Sequence, residues 1–276
     1  MIEGKVRGAL TKMVLYVTLP AAILHGYKNS ELRPEYLLIV FAGLLLNILT
    51  ILIGYAMTMH KDRKERVTAC VSITGYNIGS FSLPLTQQFL PLHLHPIVCL
   101  FDFGNAIMTL GGTDAAVAVF FSGKKENRVR AFCKKVFTSP SLIMEFIMTI
   151  LALSHIPIPE IVYSVTEPMS AANFFVSVVL IGSMLEFKPE QFKTVRKYLL
   201  IRLAFTLAAA VMLWIMLPFE RQIRLAVILA SFSPISMMAG IYAERNGGDS
   251  SIASITYSCY VFISIVLMMG LIFVAF

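Results

Sequence analysis

The chain has 276 residues, 57% of them hydrophobic and only 14% charged, with a mean hydropathy of +0.77. These values exclude a soluble globular domain, because no polar stretch is long enough to build one. A net charge of +7 does not point to nucleic acid, since the basic residues fill short gaps between apolar runs, the pattern that orients membrane proteins.

Nine apolar runs are predicted, each near the roughly 20 residues that cross a bilayer. They cover 8–27, 36–59, 67–91, 96–121, 139–156, 160–186, 197–217, 221–244 and 250–275. Lys5, Arg7 and Lys12 flank or enter the first run, so a cleavable signal peptide is the competing reading. Pro20, His25 and Tyr27 stand where a small-residue cleavage pattern is needed, which favours a span. In the second run Asn47 interrupts a leucine-rich stretch and reads as an interhelical hydrogen bond. The third contains Thr74-Gly75-Tyr76-Asn77-Ile78-Gly79-Ser80-Phe81-Ser82-Leu83-Pro84. Proline removes a backbone donor and blocks the preceding turn, while glycine and serine make unwinding cheap. Gly75 and Gly79 also form a GxxxG, whose simpler role is close helix packing.

His93 and His95 read as an external loop. The fourth run holds Asp102, with Asn105 three residues on and hence on the same helical face. A carboxylate in a membrane segment costs about 2.5–3.5 kcal/mol on insertion scales, so it faces a cavity or a partner unless it snorkels. Asp102 is therefore a candidate ion relay or site organiser. Thr113 and Asp114 read as interfacial. Glu145 and Glu186 have no basic partner nearby in sequence and stay open. The eighth run carries a second interruption, Ser231-Phe232-Ser233-Pro234, and Asn246-Gly247-Gly248-Asp249 reads as a turn with Asp249 capping the last span. Cys70, Cys99, Cys133 and Cys259 show neither metal-ligand spacing nor a disulfide framework. No enzyme motif appears in a usable context, so no cofactor or metal is expected and the chain reads as a non-enzyme.

With loops alternating between sides, one side receives 19 of the 23 basic residues, counting Lys188 to Arg202 as a loop cluster, and the other only Lys28, Arg33, Arg221 and Arg224. The bias places the N-terminus inside and the C-terminus outside. The third and eighth runs then point in opposite directions, as an inverted repeat requires. Ser-Pro is a helix-start signal; it fits Ser233-Pro234 directly and Ser82 with Pro84 approximately. Each break would aim a positive helix end at the midplane, favouring a carboxylate, with Asn77 offering amide donors and a carbonyl acceptor.

Asn77-Ile78-Gly79-Ser80-Phe81-Ser82-Leu83-Pro84-Leu85 resembles the asparagine-glycine-to-leucine-proline signature of the auxin efflux carrier family, which includes bacterial permeases and plant PIN proteins. Leu19-Pro20-Ala21, Phe101-Asp102-Phe103-Gly104-Asn105, Leu180-Ile181-Gly182-Ser183-Met184-Leu185, Ser233-Pro234, Ala243 to Asp249 and Ser251-Ile252-Ala253-Ser254 follow that family's order along nearly the whole chain. The resemblance implies an all-α polytopic membrane protein of two inverted five-helix repeats, 1–138 and 139–276, crossed by two broken helices. The first repeat is one helix short, as in some related bile acid transporters, unless the reading frame is truncated; the count is nine spans. It further implies a plasma-membrane efflux permease for small organic anions. Asn77, Gly79, Ser80, Pro84, Ser233 and Pro234 would bind substrate, and Asp102 with Asn105 would couple an ion or support the site. A sodium- or proton-coupled symporter of bile-acid-transporter-like architecture and a non-transporting anion sensor are the alternatives. The expected partners are the anion and the lipid bilayer, not nucleic acid; a homodimer is left open.

Overall fold

The computed structural model describes residues 4–30, 32–122 and 125–275, and among them every regular element is helical. Helices α1 (Gly4–Met13) and α2 (Leu19–Gly26) join through a wide π turn, Val14–Thr18, into one 23-residue rod. Helix α3 (Leu37–Met57) is followed by α4 (Arg63–Ser72), whose first turn is capped by the Asp62 carboxylate accepting the Glu65 N–H. Residues 73–77 are not helical; the chain resumes through a π turn, Ile78–Ser82, into α5 (Leu83–Phe89). Helix α6 (His95–Ile107) meets α7 (Thr113–Ser122) across a kink in residues 108–112, where Gly111 leaves helical geometry at φ 152°. The second half comprises α8 (Lys125–Thr138), α9 (Pro140–Leu153), α10 (Glu160–Met184), α11 (Phe192–Met216), α12 (Arg221–Ser231), α13 (Ala239–Asn246) and α14 (Ser250–Ala275).

Six of these rods are long and apolar enough to cross a bilayer: Gly4–Gly26, Pro34–Met57, Leu92–Phe121, Glu160–Met184, Pro189–Met216 and Ser250–Ala275. Helices α8 and α9 bend by 61° at Ser139, because the residue before Pro140 is forced into extended conformation; counted together they would make a seventh. The third and eighth predicted runs are each split into two short helices instead.

The side-chain distribution is that of a protein solvated by lipid. Phe41, Phe175, Ile215 and Phe273 lie exposed on the long helices, while Asn47, Thr50, Asp102, Asn105, Glu145, Asn173, Arg202 and Thr206 are buried between them. Exposed apolar area on this scale needs an apolar surrounding, and the buried polar groups find partners across helices, such as Thr18 Oγ1 donating to Asn173 Oδ1 at 2.8 Å. Helices α3 and α6 meet backbone to backbone: a Cβ on Gly104 would lie 1.9 Å from the Val40 carbonyl oxygen.

The loops sort onto two opposite faces. One face joins Lys64 to Asp249 (3.1 Å), Lys197 to Glu65 (2.5 Å) and Arg245 to Asp114 (3.8 Å). The other joins Lys28 to Glu160, His93 to Gln222 (3.3 Å) and the rings of Tyr36 and Phe219 (5.3 Å). Lys124 lies outside the described residues. The turn expected at 246–249 forms: Gly247 adopts φ 79° as the C-cap of α13, and Asp249 Oδ1 accepts from the Ile252 N–H at 3.1 Å. His95, expected in an external loop, is instead buried in the first turn of α6, with its Nε2 at 3.0 Å from the Leu90 carbonyl.

Candidate functional site at the crossing of two interrupted helices

The two non-helical tracts meet. The Asn77 N–H donates to the Pro234 carbonyl at 2.8 Å, and the Ser82 and Ser233 hydroxyls are 2.5 Å apart. Gly75 passes so close to the second tract that a Cβ there would stand 2.4 Å from the Ser236 Cβ, and its φ of +88° suits glycine alone. Asn77 also donates from its Nδ2 to the Tyr257 hydroxyl at 3.4 Å.

Leaving a helix inside a membrane frees backbone groups that need partners, and specific side chains supply them. The Asn105 amide, reaching from α6, accepts from the Tyr76 N–H at 3.0 Å and donates to the Tyr76 carbonyl at 2.8 Å, replacing a missing peptide partner on both counts. Asn47 donates from α3 to Asn105 Oδ1 at 3.2 Å, the interhelical bond expected of it. Asp102 accepts from Asn105 Nδ2 at 2.8 Å.

The carbonyls left at the end of α4 are held by Arg202, a side chain with no exposed surface. It donates to Ile73 O (2.8 Å) and Gly75 O (3.0 Å), and its guanidinium stacks 4.2 Å from the Tyr76 ring. A cation at a helix C-terminus is stabilised by the peptide dipoles, and the planar fork of arginine can serve two acceptors at once. Arg202, expected in a loop cluster, belongs instead to the interior of α11, and the basic face loses that one residue from its count.

The Ser-Pro pairs do not start helices. Ser82 lies inside a helix that begins at Ile78, and its side chain does not cap. The π turn 78–82 precedes Leu83-Pro84 as the π turn 14–18 precedes Leu19-Pro20, so each proline's missing donor is accommodated by a widened turn rather than by a chain break. In the second tract α12 runs to Ser231 and α13 begins only at Ala239, five residues after Pro234. Ser233 instead donates to the Ala230 carbonyl at the end of α12 (2.5 Å).

The expected site residues Asn77, Gly79, Ser80, Ser233, Pro234, Asp102 and Asn105 thus gather around one crossing, all buried; Pro84 sits farther along the second half-helix. Gly79 packs against Leu19 and Asp102: a Cβ there would lie 2.8 Å from Leu19 Cδ2 and 3.3 Å from Asp102 Oδ2. The carboxylate nearest this helix start is therefore the protein's own. Glu145, left open in the sequence, reaches from α9 to hydrogen-bond Asp102. Beyond it, a cleft of about 360 Å³ opens on the face of Lys28 and Glu160, lined by Tyr27, Met148, Ala152, His155, Glu160 and Tyr163. No protein-family model matches the chain, and no curated protein sequence matches it either.

Proposed function

We propose that the chain is a secondary transporter or uniporter of small organic anions, of the auxin efflux carrier kind, working by alternating access at the crossing. The observation that carries this reading is the direct contact of two interrupted helices through the Asn77 N–H and the Pro234 carbonyl. Irregular backbone at membrane depth survives only when buried in protein or lining a cavity, and crossing broken helices are a device of transporters.

The finer architecture draws on the same geometry. Helix α3 packs on α4 and α6 as α11 packs on α12 and α14, and α6 meets α12 as α14 meets α4. That correspondence supports two inverted repeats, with each interrupted segment crossing once and nine spans in all. The excess of basic residues on one face favours that face as cytoplasmic, with the N-terminus inside. Asn77, with the backbone at Gly79 and Ser80, would meet the carboxylate from one segment, and Ser233 with Pro234 from the other. Because all are buried here, access requires one group of helices to slide or rock against the other.

The buried Asp102 favours ion coupling over simple uniport. The test is uptake and efflux of a panel of labelled carboxylates in proteoliposomes. Transport is expected for wild type and at least tenfold slower in the Asn77→Ala, Pro234→Ala double variant. Unchanged transport in that variant would sink the crossover site, and saturable binding without flux would favour an anion sensor.

A further inference from the structure

We infer that Asp102 and Glu145 form a proton-binding site that loads from the cleft beside α9 and couples proton binding to the crossing. The inference rests on the transport reading above only for what the proton drives. Both carboxyls are buried, at 6% and 1% exposure, on facing helices α6 and α9. They are hydrogen-bonded to each other, and among the described residues no cation acts on either. Two carboxyl groups can share a hydrogen bond only if one carries the proton, and two like charges in a dry interior cannot both persist. Among the described residues Glu145 Oε2 has no hydrogen-bond partner, which leaves an acceptor position open for the proton's arrival.

The surroundings fit a proton better than a zinc-like metal ion that needs several His, Cys or carboxylate ligands. The titratable groups that reach the pair are Cys99 on α6 and Tyr27 after α2, whose hydroxyl is 2.9 Å from Thr149 Oγ1; both are neutral in their ordinary state. Among the described residues no group of three His, Cys, Asp or Glu side chains could hold a metal. Met148 and Ala152 line the cleft and lie three and seven residues beyond Glu145, hence on its face of α9. The backbone rise from Glu145 to Met148 in the cleft wall is less than one helical turn, about 4.5 Å along the axis.

The link to the crossing is direct. Asp102 holds Asn105, which holds both backbone groups of Tyr76, and Asp102 Oδ2 borders Gly79 at the start of the second half-helix. Ionised, Asp102 places a negative charge where a substrate carboxylate would bind. Protonated, it withdraws that charge. With one proton already held by Glu145, it is a second proton from bulk water that neutralises Asp102 and favours substrate binding, so one proton would travel with each substrate molecule while the first stays on the pair.

The experiment is infrared difference spectroscopy of the full chain in lipid, titrated across about pH 5 to 9. The expected result is a protonated-carboxyl carbonyl band, shifted in D2O, whose frequency or titration changes in both Asp102→Asn and Glu145→Gln and stays as in wild type in Glu35→Gln. Absence of the band in wild type, or a band unchanged from wild type in either variant, overturns the proton site. In parallel, succinate uptake is measured in proteoliposomes with the membrane potential clamped. One-to-one coupling raises steady-state accumulation about tenfold per unit of imposed pH gradient. Accumulation unmoved by the gradient overturns the coupling. If no carboxylate is transported while the band is present and variant-sensitive, the transport reading fails and the proton site stands.

Discussion

At the scale of single residues, the chain depends on a few polar side chains that stand in for missing backbone partners. Arg202 serves two carbonyls at the end of α4, and stranding buried acceptors costs about 1–3 kcal/mol each. Arg202→Leu should lower stability by about 2–4 kcal/mol, with Arg202→Lys intermediate because one ammonium cannot reproduce the fork; thermal unfolding in detergent measures both. Asp249 acts outside the membrane. Partial burial pushes its carboxyl up, but the Ile252 N–H and Lys64 outweigh that and leave it below its usual value. A lowered value means stabilisation that is complete above the unfolded-state value and lost as pH falls through the folded one. Asp249→Ala should therefore cost about 1 kcal/mol at about pH 7, and the difference from wild type should shrink at about pH 3. Asn77, Asp102 and Asn105 were legible in the sequence because polar groups stand out in apolar runs. Arg202 was not, because it closes a series of basic residues whose earlier members do lie at a helix start. Glu145 was not, because its partner is on another helix.

At the scale of elements, the crossing is fixed by where the chain can leave a helix. Gly75 combines a positive φ with a Cβ position only 2.4 Å from Ser236 Cβ. Gly75→Ala should destabilise by about 2 kcal/mol or more, since strain and overlap both oppose it. Gly182, inside α10 with nothing within 4 Å of its Cβ position, is the contrast: Gly182→Ala should be neutral or stabilising by up to about 1 kcal/mol. Equal losses in the two variants, read by thermal unfolding, would contradict the tight crossing. The interruptions themselves were visible as proline with glycine and serine in apolar runs. Their form was not, because a π turn and a helix stop are alternative answers to one missing donor.

At the scale of the whole molecule, the two faces follow from alternation of the spans and the lipid-facing surface from composition. Cys133, the exposed cysteine in α8, contrasts with buried Cys70 and Cys99. If the basic residues mark the cytoplasmic face, a membrane-impermeant maleimide should label Cys133 in inverted vesicles and not in right-side-out cells. Labelling from outside alone would reverse the orientation.

The sequence by itself determined that the chain is a multi-pass membrane protein, where most of its long apolar helices fall, and which two runs carry the interruptions that cross. Those are properties of local hydropathy and backbone chemistry, written residue by residue. Only the tertiary structure decided that the interruptions touch, that Arg202 and Asn105 satisfy the backbone they expose, and that Asp102 has Glu145 as its partner. Such contacts join residues tens to well over a hundred positions apart, as Asn77 and Pro234 are. No periodicity along the chain encodes them, because the energy of a buried polar group depends on what faces it across the helix interface.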